Sequence, residues 1–359
     1  MNQSIITDPR PLEAFKEKTY SGYKKNEIIK ALIKSIETAK IENALYWLTE
    51  CICSGYILEI LDKLCIFSSK IIHINNPKLP EFLWRRYRTL YNSINHIPKK
   101  EKHKYIHLRN TQSIRHNLFD IVVTLCISSK SKRYDKYPKI NISTDFQYNT
   151  LTQKMNATMQ LLPSHIIRFT DPEELRIIMN ELYFNLKNKL GGYDKACYWI
   201  SWLIQWEKRN KSKKENFEIE ERNIDKVKQN YWKDMIWLVW EVIFLECQNR
   251  DLQLLSQIQS LYQLFRYDYT SGKRNSRLPY LYHSIGYLTL PLQWKISLKN
   301  KPELCIQTQC SVNKCFEKLK LNQVKEYIEH PKPPKKQSSL EKEIIQSRLH
   351  DLENIFPST

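Results

Sequence analysis

The side chains of this sequence that are best suited to binding chemistry are clustered cations, some of them beside aromatic rings. The run Trp84-Arg85-Arg86-Tyr87-Arg88 combines guanidinium groups, which pair with phosphates, with rings that can stack on nucleic-acid bases. Two further clusters fall in predicted loops, where flexible cations can neutralise a phosphate backbone without reading its sequence. They comprise Lys208, Arg209, Lys211, Lys213 and Lys214, and then Lys273 and Arg274. The alternative for each cluster is an ordinary solvated surface.

The whole chain carries a large excess of positive charge. Its 57 Lys and Arg residues against 38 Asp and Glu residues give a formal net charge of +19. A surface of that sign attracts polyanions, with nucleic acid first, anionic membrane surfaces second and acidic proteins third. No module that reads bases is visible, so we predict sequence-independent binding of DNA or RNA. The abundance of Ile, Lys and Asn also fits an AT-rich coding bias, under which part of the charge serves no ligand.

Sequence signatures of the common enzyme classes are absent. The chain contains no G-x-S-x-G elbow, no H-E-x-x-H motif, no kinase signature and no dinucleotide fingerprint. Its six glycines include none arranged as the phosphate-binding G-x-x-x-x-G-K-[ST] loop. Cys51 and Cys53 fall on a predicted buried helix, where packing is favoured over catalysis. We therefore predict no catalytic residue, no cofactor and a non-enzymatic role.

The nine cysteines indicate a reducing environment. Their number is odd and the N-terminal segment MNQSIITDPRPLEAF lacks the apolar core of a secretory signal, so we predict no disulfide framework and an intracellular location. Cys305, Cys310 and Cys315 are spaced by five residues, which departs from the paired two-residue spacing of zinc knuckles, so we predict no metal site. The most apolar run, residues 236–247, is too short and too charged to cross a bilayer, which predicts no membrane partner.

Composition and hydrophobic spacing predict an all-α protein. Hydrophobic residues make up 42% of the chain, enough to form a core, whereas six glycines are few for the tight turns of sheets or barrels. Apolar residues recur at helical spacing over residues 26–64 with a break near Thr38, which predicts an antiparallel helix pair. Later helices are predicted over residues 58–72, 81–94, 172–189, 193–206, 230–263 and 302–327.

Loss of this periodicity predicts where the chain divides. Residues 129–164 are polar and rich in Tyr, and they include Pro138. We predict that they form a polar linker between two helical-bundle domains, residues 1–128 and 165–330. Residues 331–359 are predicted to form a basic, Pro-containing tail with a short amphipathic helix, which could dock on the protein body or on a partner.

One pattern occurs twice. Ala44-Leu45-Tyr46-Trp47-Leu48-Thr49 and Ala196-Cys197-Tyr198-Trp199-Ile200-Ser201 share an A-x-Y-W-[LI]-[TS] core, and each follows a predicted helix and a short break. This spacing favours an internal duplication of a helical hairpin. The alternative is a chance coincidence in a chain rich in Tyr and Trp.

The segment KALIKSIETAKIENALYWLTECICSG, the helix that follows it and the sequence NPKLP carry a family resemblance. Residues 24–82 resemble the C-terminal helical region of the replication-associated recombination AAA+ ATPases, relatives of clamp loaders. That family uses this bundle as an oligomerisation collar, so the resemblance implies a collar-like fold and self-association, without the ATPase module. These segments, together with ACYWISWLIQWEKRNKSKK, are also similar to uncharacterised proteins of large eukaryotic DNA viruses.

Together, the patterns favour a non-catalytic nucleic-acid-binding accessory or scaffold protein in viral-type DNA replication, repair or genome packaging. The first alternative is a virion structural or protein-interaction component without direct nucleic-acid binding. The second is an enzyme with an unrecognised site. For a viral chain, we expect the host cytoplasm at the virus factory, the nucleus or the virion.

Overall fold

The computed structural model describes residues 4–95, 106, 108–131, 138–189, 191–212, 218–248 and 250–327. Within these ranges the chain forms helices and loops, and it contains no strand or sheet beyond an isolated bridge between Lys18 and Lys24. The predicted all-α fold is confirmed. None of the helices in these ranges is both long enough and apolar enough to cross a membrane.

The described chain contains thirteen α-helices, some joined by a few residues and others by long connections. They are α1 (Lys25–Glu37), α2 (Ile41–Cys53), α3 (Ile57–Phe67), α4 (Leu79–Asn95), α5 (Gln112–Ile127), α6 (Tyr148–Lys154), α7 (Glu174–Lys187), α8 (Gly192–Ser212), α9 (Ile236–Cys247), α10 (Leu252–Arg266), α11 (Ser271–Thr289), α12 (Pro302–Cys310) and α13 (Val312–Lys320). Long connections precede, among others, α6, α7 and α9.

The predicted N-terminal helix pair is formed by α1 and α2. Helix α1 buries Ile28, Leu32 and Ile36, which are spaced by four residues and therefore form one apolar stripe. The chain leaves α1 through Ala39, whose φ of 55° is the left-handed conformation that commonly ends a helix. Helix α2 then packs against α1 and also against α5.

The helix predicted over residues 230–263 is two helices. Helix α9 is apolar on nearly every face and buries Trp237 and Trp240. Asp251 then starts α10, because its side chain accepts a hydrogen bond of 2.7 Å from the backbone N–H of Leu254. The helix predicted over residues 302–327 is likewise divided, into α12 and α13, at Ser311. Asp251 marks the first break as a side-chain cap, whereas Ser311 makes no side-chain cap of α13 and instead donates a hydrogen bond of 2.8 Å to the carbonyl of Thr308.

Helix α11 covers a segment whose first residues were predicted to be a loop, and it carries the longest continuous run of buried residues in the described chain. Every residue from Arg277 to Thr289 is buried. Pro279 and Gly286 are poor helix formers, so the helix owes its stability to packing. Its contacts come from both halves of the sequence, and they include α3, α7, α8, α9 and α10.

Gly286 allows α11 to approach the turn that follows α3. That turn is a π-helical segment, Ser68–Ile72, and it leads into His73 at a φ of 52°. A Cβ atom at Gly286 would lie 2.3 Å from Cε1 of His73, so a side chain cannot be accommodated without displacement. The ring of His73 stacks on that of His283, with the centroids 4.5 Å apart. The N-terminal helices and α11 therefore share one core.

The segment 129–164 does not separate two compact units, in contrast to the predicted linker. Residues 1–7 and 11–323 form one unit, because α10 packs on α4 and α11 on α3. Part of the segment contacts α8: Asp145 accepts a hydrogen bond of 2.9 Å from the hydroxyl of Tyr198, and its carbonyl accepts one of 3.0 Å from the indole of Trp202. Local polarity therefore does not mark a boundary here.

Of the described residues, 8–10 and 324–327 belong to a second, small unit. In its described part, Asp8 accepts hydrogen bonds of 2.7 Å from the Arg10 guanidinium and 3.1 Å from the backbone N–H of Val324. The predicted tail helix lies outside the described residues.

The two A-x-Y-W motifs lie on α2 and α8, and each of these helices packs against the helix that precedes it. Ala44 and Ala196 are both fully buried. The tryptophans differ, because Trp199 is buried whereas Trp47 is half-buried. The internal duplication stays a prediction, to be decided by superposing the α1–α2 and α7–α8 pairs.

Candidate nucleic-acid interface

The predicted cationic clusters lie on helices. Three of the residues are on α4: Arg85, Arg86 and Arg88. The second cluster does not lie in a loop, because α8 extends to Ser212 and includes Lys208, Arg209 and Lys211. The third cluster is also helical, since Lys273 and Arg274 lie in the first turn of α11. Lys213 and Lys214 lie outside the described residues.

The connection between α10 and α11, residues 267–270, brings parts of all three clusters together. The ring of Tyr267 contacts the rings of Trp84 and Tyr91 on α4, at centroid distances of 6.3 and 4.6 Å. Arg88 is four residues from Trp84 and three from Tyr91, so it shares their face of the helix. On the other side of Tyr267, the carboxylate of Asp268 pairs with Lys273 at 2.5 Å.

Arg274 joins this connection to α8. Its guanidinium donates hydrogen bonds of 2.5 Å to Glu207 and 2.8 Å to Asp234. Asp234 also accepts a hydrogen bond of 2.7 Å from the hydroxyl of Tyr269. Burial alone would raise the pKa of Glu207, but hydrogen bonds from Arg274 and Lys211 hold that pKa below its ordinary value. Arg274 therefore links α11 to α8, and the carboxylates of Glu207 and Asp234 neutralise its charge within the protein.

We define the connection rim as five cations on the helices that contact residues 267–270 or are joined to them through Arg274: Arg85, Arg88, Lys208, Lys211 and Lys273. Three of them have an acidic partner, because Arg85 pairs with Glu81, Lys211 with Glu207 and Lys273 with Asp268. Arg88 and Lys208 are exposed, and no carboxylate of the described residues lies within ion-pair distance of either side chain. These two cations are the members of the rim most accessible to an external anion.

Arg86 and Arg209 point away from the rim. Arg86 donates a hydrogen bond of 2.6 Å to Asp120 of α5, on the opposite side of α4. Arg209 lies over the ring of Phe146, with its guanidinium carbon 5.1 Å from the ring centroid. Both arginines therefore have intramolecular partners that compete with a phosphate.

Sequence reasoning named Lys211 and Arg274 as candidate site residues, but it missed the contacts that assemble the rim. Glu207 and Lys211 carry a recognisable signal, because an acid four residues before a lysine suits a helix pair. Arg274 and Glu207 carry none, since 67 positions separate them. Tyr267 likewise has no local feature that predicts its contact with α4.

The cysteines considered for metal binding do not form a cluster. Cys305 is buried, Cys310 exposed and Cys315 intermediate. In the part of the chain that the structure describes, no three His, Cys, Asp or Glu side chains are placed to hold a metal ion. Burial raises the pKa of the Cys51 thiol well above its ordinary value, which makes it a poor nucleophile.

No protein-family model, curated protein or solved structure matches this chain. The resemblance of residues 24–82 to the AAA+ collar region therefore stays a prediction, as does the wider similarity to viral proteins.

Proposed function

We propose that this protein is a non-catalytic accessory that binds DNA or RNA without sequence preference, in viral-type DNA replication, repair or genome packaging. The observation that carries the proposal is the connection rim. Two of its cations, Arg88 and Lys208, have no carboxylate partner among the described residues, and they come from helices far apart in sequence. The contacts of Tyr267 with α4 and the link of Arg274 to α8 join these helices to one connection.

The other members of the rim can add to this binding. The pair of Lys273 with Asp268 is largely solvated, at 39% and 68% exposure, and contributes little stability. Lys211 is 66% exposed, but its partner Glu207 is only 7% exposed. Lys273 can therefore exchange its carboxylate for a phosphate at small cost, whereas Lys211 would leave Glu207 with Arg274 as its remaining partner. Tyr91 and Trp84 are half-buried beside Arg88, and they offer ring surface for a base.

The proposal is tested by measuring how the binding of fluorescently labelled duplex DNA and single-stranded RNA depends on salt. The wild-type chain should bind both at low salt, and its affinity should fall steeply as salt rises. The double variant Arg88→Gln/Lys208→Gln should reduce the slope of log affinity against log salt by about 2, since each lost phosphate contact contributes about 0.9.

A matched control replaces two exposed lysines elsewhere, in Lys16→Gln/Lys18→Gln. If the control reduces the slope as much as the rim variant, the charge acts in bulk and the rim is not the site. If the wild-type chain binds neither nucleic acid at low salt, the proposal is wrong. The alternative role, a structural or protein-interaction component, then takes its place.

A further inference from the structure

A groove with an apolar floor and a basic edge lies between α1, α3 and the π-helical turn. Its volume is about 560 Å³, and it reaches Ser276 of α11. The floor is formed by Ile29, Ile33, Ile66, Phe67 and Ile71. Of these, Ile33 and Ile66 remain half-buried, so the floor offers apolar surface that the protein does not cover itself.

The edges of the groove are lined with lysines on both sides. Lys30 and Lys34 stand one turn apart on α1, whereas Lys63 and Lys70 stand on α3 and the π-helical turn. Against these four lysines the lining contains one carboxylate, that of Glu37, and a second, that of Glu59 on α3, lies 3.9 Å from Lys63 outside the lining. Lys34 is 71% exposed and its pair with Glu37 is long, at 3.4 Å, while no carboxylate of the described residues pairs with Lys30.

We propose that this groove docks an amphipathic helix of a partner protein, with Glu or Asp residues on both sides of its apolar stripe. The apolar side chains of the partner would cover Ile33 and Ile66, as in other complexes where a helix lies in a groove. Its acids would meet Lys30 and Lys34 along one edge, and Lys63 and Lys70 along the other. Charge complementarity would set the orientation of the helix and increase its rate of association.

The arrangement of the groove favours this occupant over other anions. Lys63 and Lys70 are seven residues apart, so the lysines extend over roughly 10 Å of helix length. A phospholipid has a single charged head group beside its acyl chains. It could therefore pair with lysines at only one end of the groove. A nucleic-acid backbone lacks the apolar stripe that the isoleucines would cover. The π-helical turn that carries Lys70 is itself a rare element, which occurs frequently at functional sites.

The test uses three labelled peptides of about 18 residues, or five helical turns. The first has Leu at helical spacing with Glu on both flanks, the second is a scrambled version, and the third carries Lys in place of Glu. Fluorescence anisotropy should show saturable binding of the acidic amphipathic peptide alone to the wild-type chain. The variant Lys30→Glu/Lys34→Glu should bind it at least about tenfold more weakly and should gain affinity for the Lys peptide.

Two controls make the result specific. Lys314→Glu/Lys318→Glu reverses two exposed lysines with the same spacing on α13 and should bind the acidic peptide as the wild type does. Ile33→Ser, a change to the half-buried floor, should weaken binding without changing charge. The rim variant Arg88→Gln/Lys208→Gln should retain peptide binding, which separates this proposal from the nucleic-acid proposal.

The proposal is overturned if the scrambled peptide binds equally well, or if the α13 control loses as much affinity as the groove variant. It is also overturned if Lys30→Glu/Lys34→Glu abolishes binding of phosphatidylglycerol vesicles or of an oligonucleotide while the wild type binds no acidic peptide.

Discussion

Nη2 of Arg274 lies 2.5 Å from Oε2 of Glu207, although 67 positions separate the two residues in the sequence. Their side chains are 13% and 7% exposed, so the pair is largely removed from solvent. This contact joins the first turn of α11 to the last turns of α8. Through Arg274 it links α8, which carries Lys208, to the connection whose Tyr267 contacts α4, which carries Arg88.

We expect Arg274→Gln to lower the free energy of unfolding by about 3 kcal/mol, because it leaves the buried carboxylate of Glu207 without its strongest partner. Adding Glu207→Gln should cost less than the two single losses combined, since the second change removes the uncompensated charge. Urea unfolding of the four proteins measures this coupling. Strictly additive losses would contradict a direct interaction.

The ion pair between Asp171 and Arg222 is the second buried contact whose loss should be costly. The two side chains are 0% and 1% exposed, and Nη2 of Arg222 lies 2.7 Å from Oδ2 of Asp171. Asp171→Asn should lower the free energy of unfolding by about 3 kcal/mol, because the guanidinium stays buried with less compensation. The control is Arg176→Gln, which breaks the exposed pair with Glu173 and should leave the urea midpoint unchanged. If the two variants lower the free energy of unfolding equally, burial of the ion pair does not determine how much stability its loss removes.

Two glycines of α11 should respond to alanine in opposite directions. Gly286→Ala places a methyl group against the ring of His73 and should destabilise the protein by about 1–3 kcal/mol. Gly272→Ala meets nothing closer than 3.8 Å, from Oγ1 of Thr270, and should stabilise it by about 0.5–1 kcal/mol through helix propensity. Thermal unfolding of both variants checks the signs, and stabilisation by Gly286→Ala would contradict the contact between α11 and His73.

Stability should fall as the pH drops below about 6.5, the ordinary pKa of histidine. Burial lowers the pKa of His73 to about 3, and burial together with the charge of His73 lowers the pKa of His283 well below its ordinary value. Below pH 6.5 these histidines therefore bind protons in the unfolded chain but stay neutral in the folded chain. The stability is fully present above this pH and is lost towards pH 3, by up to about 1.4 kcal/mol per pH unit for each histidine.

Urea unfolding at about pH 7.5 and pH 5.5 measures this loss, a range chosen because most carboxylates stay ionised in it. The variant His73→Asn should lose less stability between the two pH values than the wild type, whatever its absolute stability. His165→Asn, a change at an exposed histidine, should keep the wild-type dependence. An unchanged pH dependence in His73→Asn would rule out the buried pair as its source.

The sequence by itself determined the all-α class and the first helices. Ile28, Leu32 and Ile36 repeat at the period of a helix, and that period needs only neighbouring residues to be recognised. Aromatic residues near cations were also visible, including Trp84 and Arg88. What a local pattern can establish is which residues share a helix face.

Only the tertiary structure decided which faces meet. Helix α11 contains Pro279 and Gly286 and lacks a clear apolar stripe, because it is buried on all sides and needs no polar face. Its position in the core joins the two predicted domains into one compact unit. The placement of Arg274 against Glu207, and of Tyr267 against Tyr91, depends on how distant helices pack. A periodic sequence pattern cannot predict such pairs, because their residues become neighbours only after folding.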